Sequence, residues 1–448
     1  MSRLAIAFAA LALLLPRLAR ASAADVFGLS SEESAVAGAS TARVHDFTAG
    51  HYDPAALVRV ERPEMSFGVL GFGSQLTVNG RVRPIEEPVG VVVGAATPVP
   101  LGWKLRDRIF VGIALYLLPD AIVRVISQTP DQPFFATYDN RTQRLIVLPS
   151  VAVRLWGGLS AGVAVNYLAG LAGQVAAGEG TTRAVEARVD EQIVSLARVN
   201  AGLLWRSPRD RVSVGFTYRQ AFGVPFTTVT QNKVAGQPID VNVDAEGLFT
   251  PHTFVLGAAV RALPSLQLSL DTGVALWSLW RGPYVTVSST LPVAGVIDTA
   301  PPHLDFRDTV CVRLGAEWTR DLGRRVTLAL RGGYAFETSP VPDDQPGVTN
   351  LLDGDKHTVA AGAGVAIALG AVHLRIDAHG QIQALQPVTL EKRIAPDGTD
   401  PAKGLRDLVP DDPRNPATLG AQIDNPGYPS IRGAGYVWAA GLTLTVAR

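Results

Sequence analysis

The sequence predicts an all-β fold, a 14-stranded antiparallel transmembrane β-barrel, and three observations predict it. First, runs of about ten residues alternate apolar and non-apolar side chains from Met65 to the C-terminus, the length and period of a tilted strand crossing a bilayer. The segment 372–384 is the clearest of them. Val372, Leu374, Ile376, Ala378, Ile382 and Ala384 share one face; His373, Arg375, Asp377, His379, Gln381 and Gln383 share the other. Second, the gaps between runs alternate between very short and long, as short turns on one rim and long loops on the other require. Third, no stretch beyond the N-terminus offers 18 uninterrupted apolar residues, so no spanning helix is expected.

The N-terminus comes first in chain order. Arg3 precedes an apolar stretch from Leu4 to Leu15, and Ala21-Ser22-Ala23 supplies small residues for cleavage, so residues 1–23 read as a secretory signal peptide. The lone Cys311 allows no internal disulfide, which suits an exported barrel held by sheet closure. The 448 residues carry 40 basic against 40 acidic side chains, which removes any general electrostatic case for a nucleic-acid partner. Only 18% of residues are charged and the mean hydropathy is +0.19, greasy for this length. The 44 glycines and 31 prolines suit many turns and disfavour long helices.

Strands are expected near 65–77, 88–97, 108–118, 144–155, 159–168, 193–205 and 211–220, then 252–261, 265–276, 309–318, 325–336, 357–369, 371–384 and 435–446. The long connections between them are 119–143, 169–192, 221–251, 277–308, 337–356 and 385–434. Trp103, Trp156, Trp205 and Trp318 fall beside the short turns, and Trp277, Trp280 and Trp438 fall at the outer ends. That distribution reads as two aromatic girdles, since indole joins an apolar body to one polar tip.

The stretch from Asp25 to Glu64 reads DVFGLSSEESAVAGASTARVHDFTAGHYDPAALVRVERPE, followed by MSFGVLGFG. With its Asp53-Pro54-Ala55-Ala56-Leu57 element it resembles the N-terminus of the FadL-like outer-membrane transporters of long-chain fatty acids, toluene and other hydrocarbons. The resemblance implies that residues 24–63 fold inside the barrel as a hatch, that 64–448 form the barrel, and that Asp53, Pro54 and Ala55 make the hatch turn. It further implies that apolar ligands enter from the external loops and leave sideways near the third strand. Asp53 stands where the family usually has Asn, so a carboxylate that accepts but does not donate replaces an amide. The last strand also lacks the common terminal aromatic, ending Thr443-Leu444-Thr445-Val446-Ala447-Arg448.

Site residues follow from the faces. Arg313, Glu317, Arg331, His373, Arg375, Asp377 and His379 form an expected polar cluster in the lumen that grips the hatch. Ala360, Gly362, Gly364, Ala366 and Ala368 form a smooth strip beside it that gives the hatch room or else fits barrel curvature. Phe134 and Phe135 with Arg141 and Arg144 are candidates for ligand capture, the arginines for a carboxylate end. Gly158-Leu159-Ser160-Ala161-Gly162 matches G-x-S-x-G, yet it opens a period-two strand where that motif demands a strand-to-helix turn. His373, Asp377 and His379 are spaced too far along one strand to close on a single ion, so neither metal nor other cofactor is expected.

The function that follows is passive uptake of hydrophobic small molecules through the outer membrane of a Gram-negative bacterium, not catalysis. Expected partners are outer-membrane lipid, the apolar ligand and the outer-membrane assembly machinery. A structural envelope barrel, with 386–432 as a docking surface, and a general aqueous porin stand as alternatives.

Overall fold

A computed structural model of the chain describes residues 28–83, 89–102, 107–117, 133–141, 145–179, 185–234, 237–283, 286–291, 295–299, 304–343, 349–391 and 430–448. The expected signal peptide, Trp103 and Arg144 lie outside these residues.

Fourteen strands close a barrel. They are β1 (Glu64–Val78), β2 (Val89–Pro98), β3 (Ile109–Leu117), β4 (Ile146–Arg154), β5 (Leu159–Glu179), β6 (Val185–Arg206) and β7 (Val212–Arg219). After them come β8 (Thr253–Leu263), β9 (Leu266–Ala275), β10 (Thr309–Asp321), β11 (Val326–Glu337), β12 (Lys356–Leu369), β13 (Val372–Glu391) and β14 (Ser430–Ala447). Each pairs antiparallel with the next, and β1 returns to β14 from Glu64↔Ala447 to Val78↔Gly433. Closure leaves no edge and pairs the backbone of each strand with both neighbours, which lipid demands.

The burial pattern is that of a soluble protein turned inside out. On β9, Leu268, Leu270 and Val274 are 41%, 45% and 40% exposed, while Ser269 and Asp271 are 7% and 1% exposed. Apolar side chains face outward to lipid and polar ones face inward along the same period-two strand. An outer-membrane barrel follows.

Two expectations need correction. The connection 169–192 is largely ladder, because β5 and β6 stay in register from Leu159↔Trp205 to Glu179↔Val185. Connection 221–251 likewise holds paired strands, Phe222–Val234 with Gln237–Thr250. Hairpins continuing past the membrane keep their backbone groups paired without needing an apolar face, so the hydropathy signal stops before the strand does. The second correction is to the girdles. Trp156, Trp205 and Trp438 are exposed, but Trp277 and Trp280 are 0% and 2% exposed and pack in an aromatic core under the long loops.

Candidate functional site

The segment before β1 is nearly all buried. Ser30 caps a short helix, Ser31–Ser34, its Oγ accepting from the Glu33 backbone N–H at 3.4 Å. A second turn of helix spans Ala49–Tyr52, and Asp53 then caps the 3₁₀ turn Pro54–Arg59 through Oδ1, which accepts from Ala55 N–H at 2.9 Å. Pro54 suits this first position because its φ is preset and it has no N–H to lose.

An ion-pair network ties this segment to β10, β11 and β13. Arg43 reaches Glu33 at 2.9 Å, Glu32 at 3.2 Å and Glu317 at 2.8 Å. Arg331 holds Glu317 at 2.5 Å, Asp377 at 2.6 Å and Glu32 at 3.3 Å. Arg375 meets Glu32, Asp46 and Asp377, each at 3.1 Å. Buried charges of one sign alone would be prohibitively costly, so each guanidinium shared between carboxylates is what permits this interior. Carboxyl oxygens of Glu32, Glu33 and Asp46 lie within 4.8 Å of one another, but the guanidiniums of Arg43 and Arg375 already contact them.

Of the sequence-derived lumen residues, Glu317, Arg331, Arg375 and Asp377 converge here. Arg313 lies apart, against a separate cavity. His379 is buried with neither ring nitrogen hydrogen-bonded, and His373 is half-buried and joins no ion pair among the described residues. The segment's own charged residues, Glu32, Glu33, Arg43 and Asp46, were missed. So was Asp271 on β9, whose Oδ2 accepts from Ser40 N–H and Thr41 N–H at 2.9 Å and Thr41 Oγ1 at 2.7 Å. A lone carboxylate on the inward face of LQLSLDTGVA was the available signal.

Glycines bed the segment. A Cβ on Gly362 would stand 2.6 Å from the Ala35 Cβ, and one on Gly315 would stand 2.9 Å from the Val36 Cβ. On the far side, a Cβ on Gly162 would run into the Pro54 backbone, and one on Gly215 would stand 3.0 Å from Asp53 Oδ2. Small residues are required wherever a second backbone approaches a strand this closely.

Two carboxyls of the segment are shifted by burial. Desolvation pushes Glu33 up to about 8, with Glu32 and Asp46 adding to the rise and Arg43 opposing it. Asp53 is likewise raised well above its usual range by burial, against the Ala55 N–H and Arg59, which act downward. For Glu32, burial also acts upward, but Arg331, Arg375, His45 and Arg43 outweigh it and hold the carboxyl well below its usual range. Between about pH 4.5 and 8, then, Glu33 is protonated in place and ionised when undocked, so its contribution falls as pH rises through that window. Residues 28–60 are expected to resist protease better at pH 5.5 than at pH 8.5. Glu33→Gln should flatten that difference, read by limited proteolysis at matched protease activity.

The opposite half of the lumen is apolar. One continuous cluster runs from Leu352, Leu390 and Ile431 near the long loops, along Leu76, Phe72, Leu70 and Val92, to Phe47 and Leu57 of the segment. At the outer end, Phe134-Phe135 pairs parallel with Leu351-Leu352. Phe134 joins Phe249, Trp277, Trp280 and Phe306, with Trp280 and Phe306 ring centroids 4.6 Å apart. Phe135 joins the long cluster instead. The backbone of Arg141 ends the helix Ala136–Arg141. Between the apolar and ionic halves lies a cavity of about 130 Å³, lined by Arg198, Arg219, Arg313, Lys356, His51 and Tyr52. Lys356 is paired with Asp353 at 2.7 Å, and Arg219 donates to His51 Nε2 at 3.2 Å. Arg313 forms no salt bridge among the described residues.

Ser160 is buried and donates to the Leu204 carbonyl at 3.2 Å from within β5, so the G-x-S-x-G motif here is wall, not a nucleophile turn.

No family model matches the chain. It is 24% identical over 365 residues to alkane uptake protein A of Marinobacter nauticus, covering 76% of this chain and 78% of that one. Among solved structures, a Pseudomonas aeruginosa FadL homologue superposes with a TM-score of 0.57 at 13% identity, over 96% of this chain and 98% of its own. The toluene transporter TodX of P. putida gives 0.56 at 14%, over 95% and 99%. The fold is that of the FadL-like outer-membrane transporters. The monoaromatic hydrocarbon channel CymD shares it, with a TM-score of 0.53 at 14% identity over 94% and 98%.

Proposed function

We propose that this FadL-like barrel carries hydrophobic small molecules passively inward across the outer membrane, with residues 28–63 as its hatch. The observation that carries this reading is the continuous apolar cluster from the long loops to Phe47 and Leu57. An apolar molecule moving along it exchanges one greasy contact for another, whereas a water-filled pore would hydrate it at each step. The names of the similar proteins, alkane uptake and toluene transport, point the same way.

For the exit, ladders on both sides of β3 are unbroken from Val91↔Leu117 to Pro98↔Phe110 and from Ile109↔Val153 to Tyr116↔Ile146. A lipid-facing groove of about 650 Å³ nevertheless overlies β14 and β1–β3, bounded by Met65, Ala95, Val111, Ile113 and Val446. Directly behind its floor, a Cβ on Gly112 would stand 2.9 Å from Leu57 Cδ2 of the hatch. Sideways release there needs the hatch to move and the wall to part. At the cavity, Arg313, which shares the lining with Glu337 but makes no salt bridge among the described residues, suits a cargo that ends in a carboxylate.

Two substitutions separate these parts in an uptake assay on intact cells. Val92→Asp sets a charge in the apolar strip and is expected to lower uptake of alkane and fatty acid alike, by about ten-fold. Arg313→Met is expected to lower fatty-acid uptake by about ten-fold and leave alkane uptake unchanged. Unaltered uptake in Val92→Asp, with the barrel still heat-modifiable on gels, would rule out the apolar strip as the route.

A further inference from the structure

The rim of short turns carries a feature that uptake does not use. Three successive turns on it are basic: Arg209 and Arg211 between β6 and β7, Arg261 near the end of β8 before the turn to β9, and Arg320 near the end of β10 with Arg324 and Arg325 in the turn to β11. All six are exposed and form no ion pair among the described residues. The acids beside them are engaged elsewhere, Asp210 with Arg59 at 2.8 Å and Asp321 with Thr327 Oγ1 at 2.7 Å.

The turns form one surface. Arg261 N–H donates to the Arg211 carbonyl at 2.9 Å, and Thr319 N–H donates to the Ser265 carbonyl at 2.8 Å, so the sheet joins all three side by side. The chain as a whole carries no net charge, so this arc is a segregation of charge, not a consequence of a basic composition. Among the arginines, Leu263 and Leu322 are 56% and 54% exposed, and Trp205 at the end of β6 is 42% exposed. Apolar side chains interleaved with cations, at the edge of a lipid-facing apolar band, match the acyl and phosphate layers of a membrane better than the surface of a water-soluble protein.

We infer that this arc binds anionic phospholipid headgroups of the periplasmic leaflet, the guanidiniums on phosphate and Leu263 and Leu322 among the acyl chains. Phosphate suits arginine because its donors form a planar fork that matches two phosphate oxygens. The inference stands independently of what the lumen carries.

The test is native mass spectrometry of the full barrel released from nanodiscs of phosphatidylcholine mixed with phosphatidylglycerol. The expected result is preferential retention of phosphatidylglycerol that weakens with added salt. In the fourfold variant Arg209→Gln, Arg211→Gln, Arg324→Gln and Arg325→Gln, that preference should fall by at least roughly five-fold. Lysine at the same four positions should keep it, which separates charge from local structure. No preference in the native barrel, or an equal preference in the glutamine variant, would overturn the inference and leave an acidic protein as the partner of choice for this arc.

Discussion

Deleting residues 28–60 is expected to turn a closed barrel into a conducting one. Fourteen strands enclose a lumen wider than an eight-stranded barrel can fill with its own side chains. What occupies it is the N-terminal segment, bedded on Gly362 and Gly315 on one side and on Gly162 and Gly215 on the other. Its anchors are spread around the wall. Thr217 Oγ1 donates to the Tyr52 carbonyl at 2.8 Å, Arg154 Nη2 to the Val58 carbonyl at 2.9 Å, and Ser31 N–H to Thr443 Oγ1 at 3.0 Å. Those contacts come from β7, β4 and β14, so no single strand could release it. Removing the segment leaves Arg331, Arg375, Glu317 and Asp377 facing open space that water enters. In planar bilayers the intact protein should stay near the leak level, and the deletion should give large stepwise openings. Steps of equal size in both proteins would mean that the segment does not seal the lumen.

The second large effect is expected from Arg331→Met. Arg331 touches Glu317, Asp377 and Glu32 at once, and its side chain is 5% exposed. Methionine fills much of the same volume but leaves those three carboxylates facing one another with only Arg43 and Arg375 to balance them. Removing one partner of a buried ion pair costs about 3–5 kcal/mol, because the stranded charge is worse than no charge. The cost should appear as a lower unfolding midpoint in urea and as new cleavage within residues 28–60. Replacing Arg320, which is exposed on the rim, should move neither, since unpaired surface charges contribute little. A midpoint for Arg331→Met within error of the native barrel would remove the network from any account of how the segment is held.

Much of the barrel was legible because its signals are local. Side-chain alternation along 372–384 and the single Gly370 between two runs specify strand, face and turn without reference to anything distant. The hairpin through 169–192 was not legible, because LAGLAGQVAAGEG lacks alternation once the strand leaves the membrane and lipid no longer selects its outer face. Trp277 and Trp280 were misplaced for a related reason. Position near a strand end gives depth, but not whether the ring turns to lipid or into a loop core with Phe249 and Phe306. Half of the ionic cluster, Glu317, Arg331, Arg375 and Asp377, could be read from inward faces. Its other half could not. Ser31–Ser34 with its two glutamates looks like a solvated helix start, and the distant guanidiniums of Arg331 and Arg375 that pair with Glu32 could not be read from it.

Passive uptake means that apolar molecules cross this barrel down their own gradient. The most direct measurement is uptake of radiolabelled alkane by Gram-negative cells that lack their own hydrophobic-uptake channels, with and without this barrel and with the proton-motive force collapsed by an uncoupler. The account predicts faster entry in cells that carry the barrel, unchanged by the uncoupler. Entry no faster than in cells without it, for a barrel that is present and folded in the outer membrane, would contradict it.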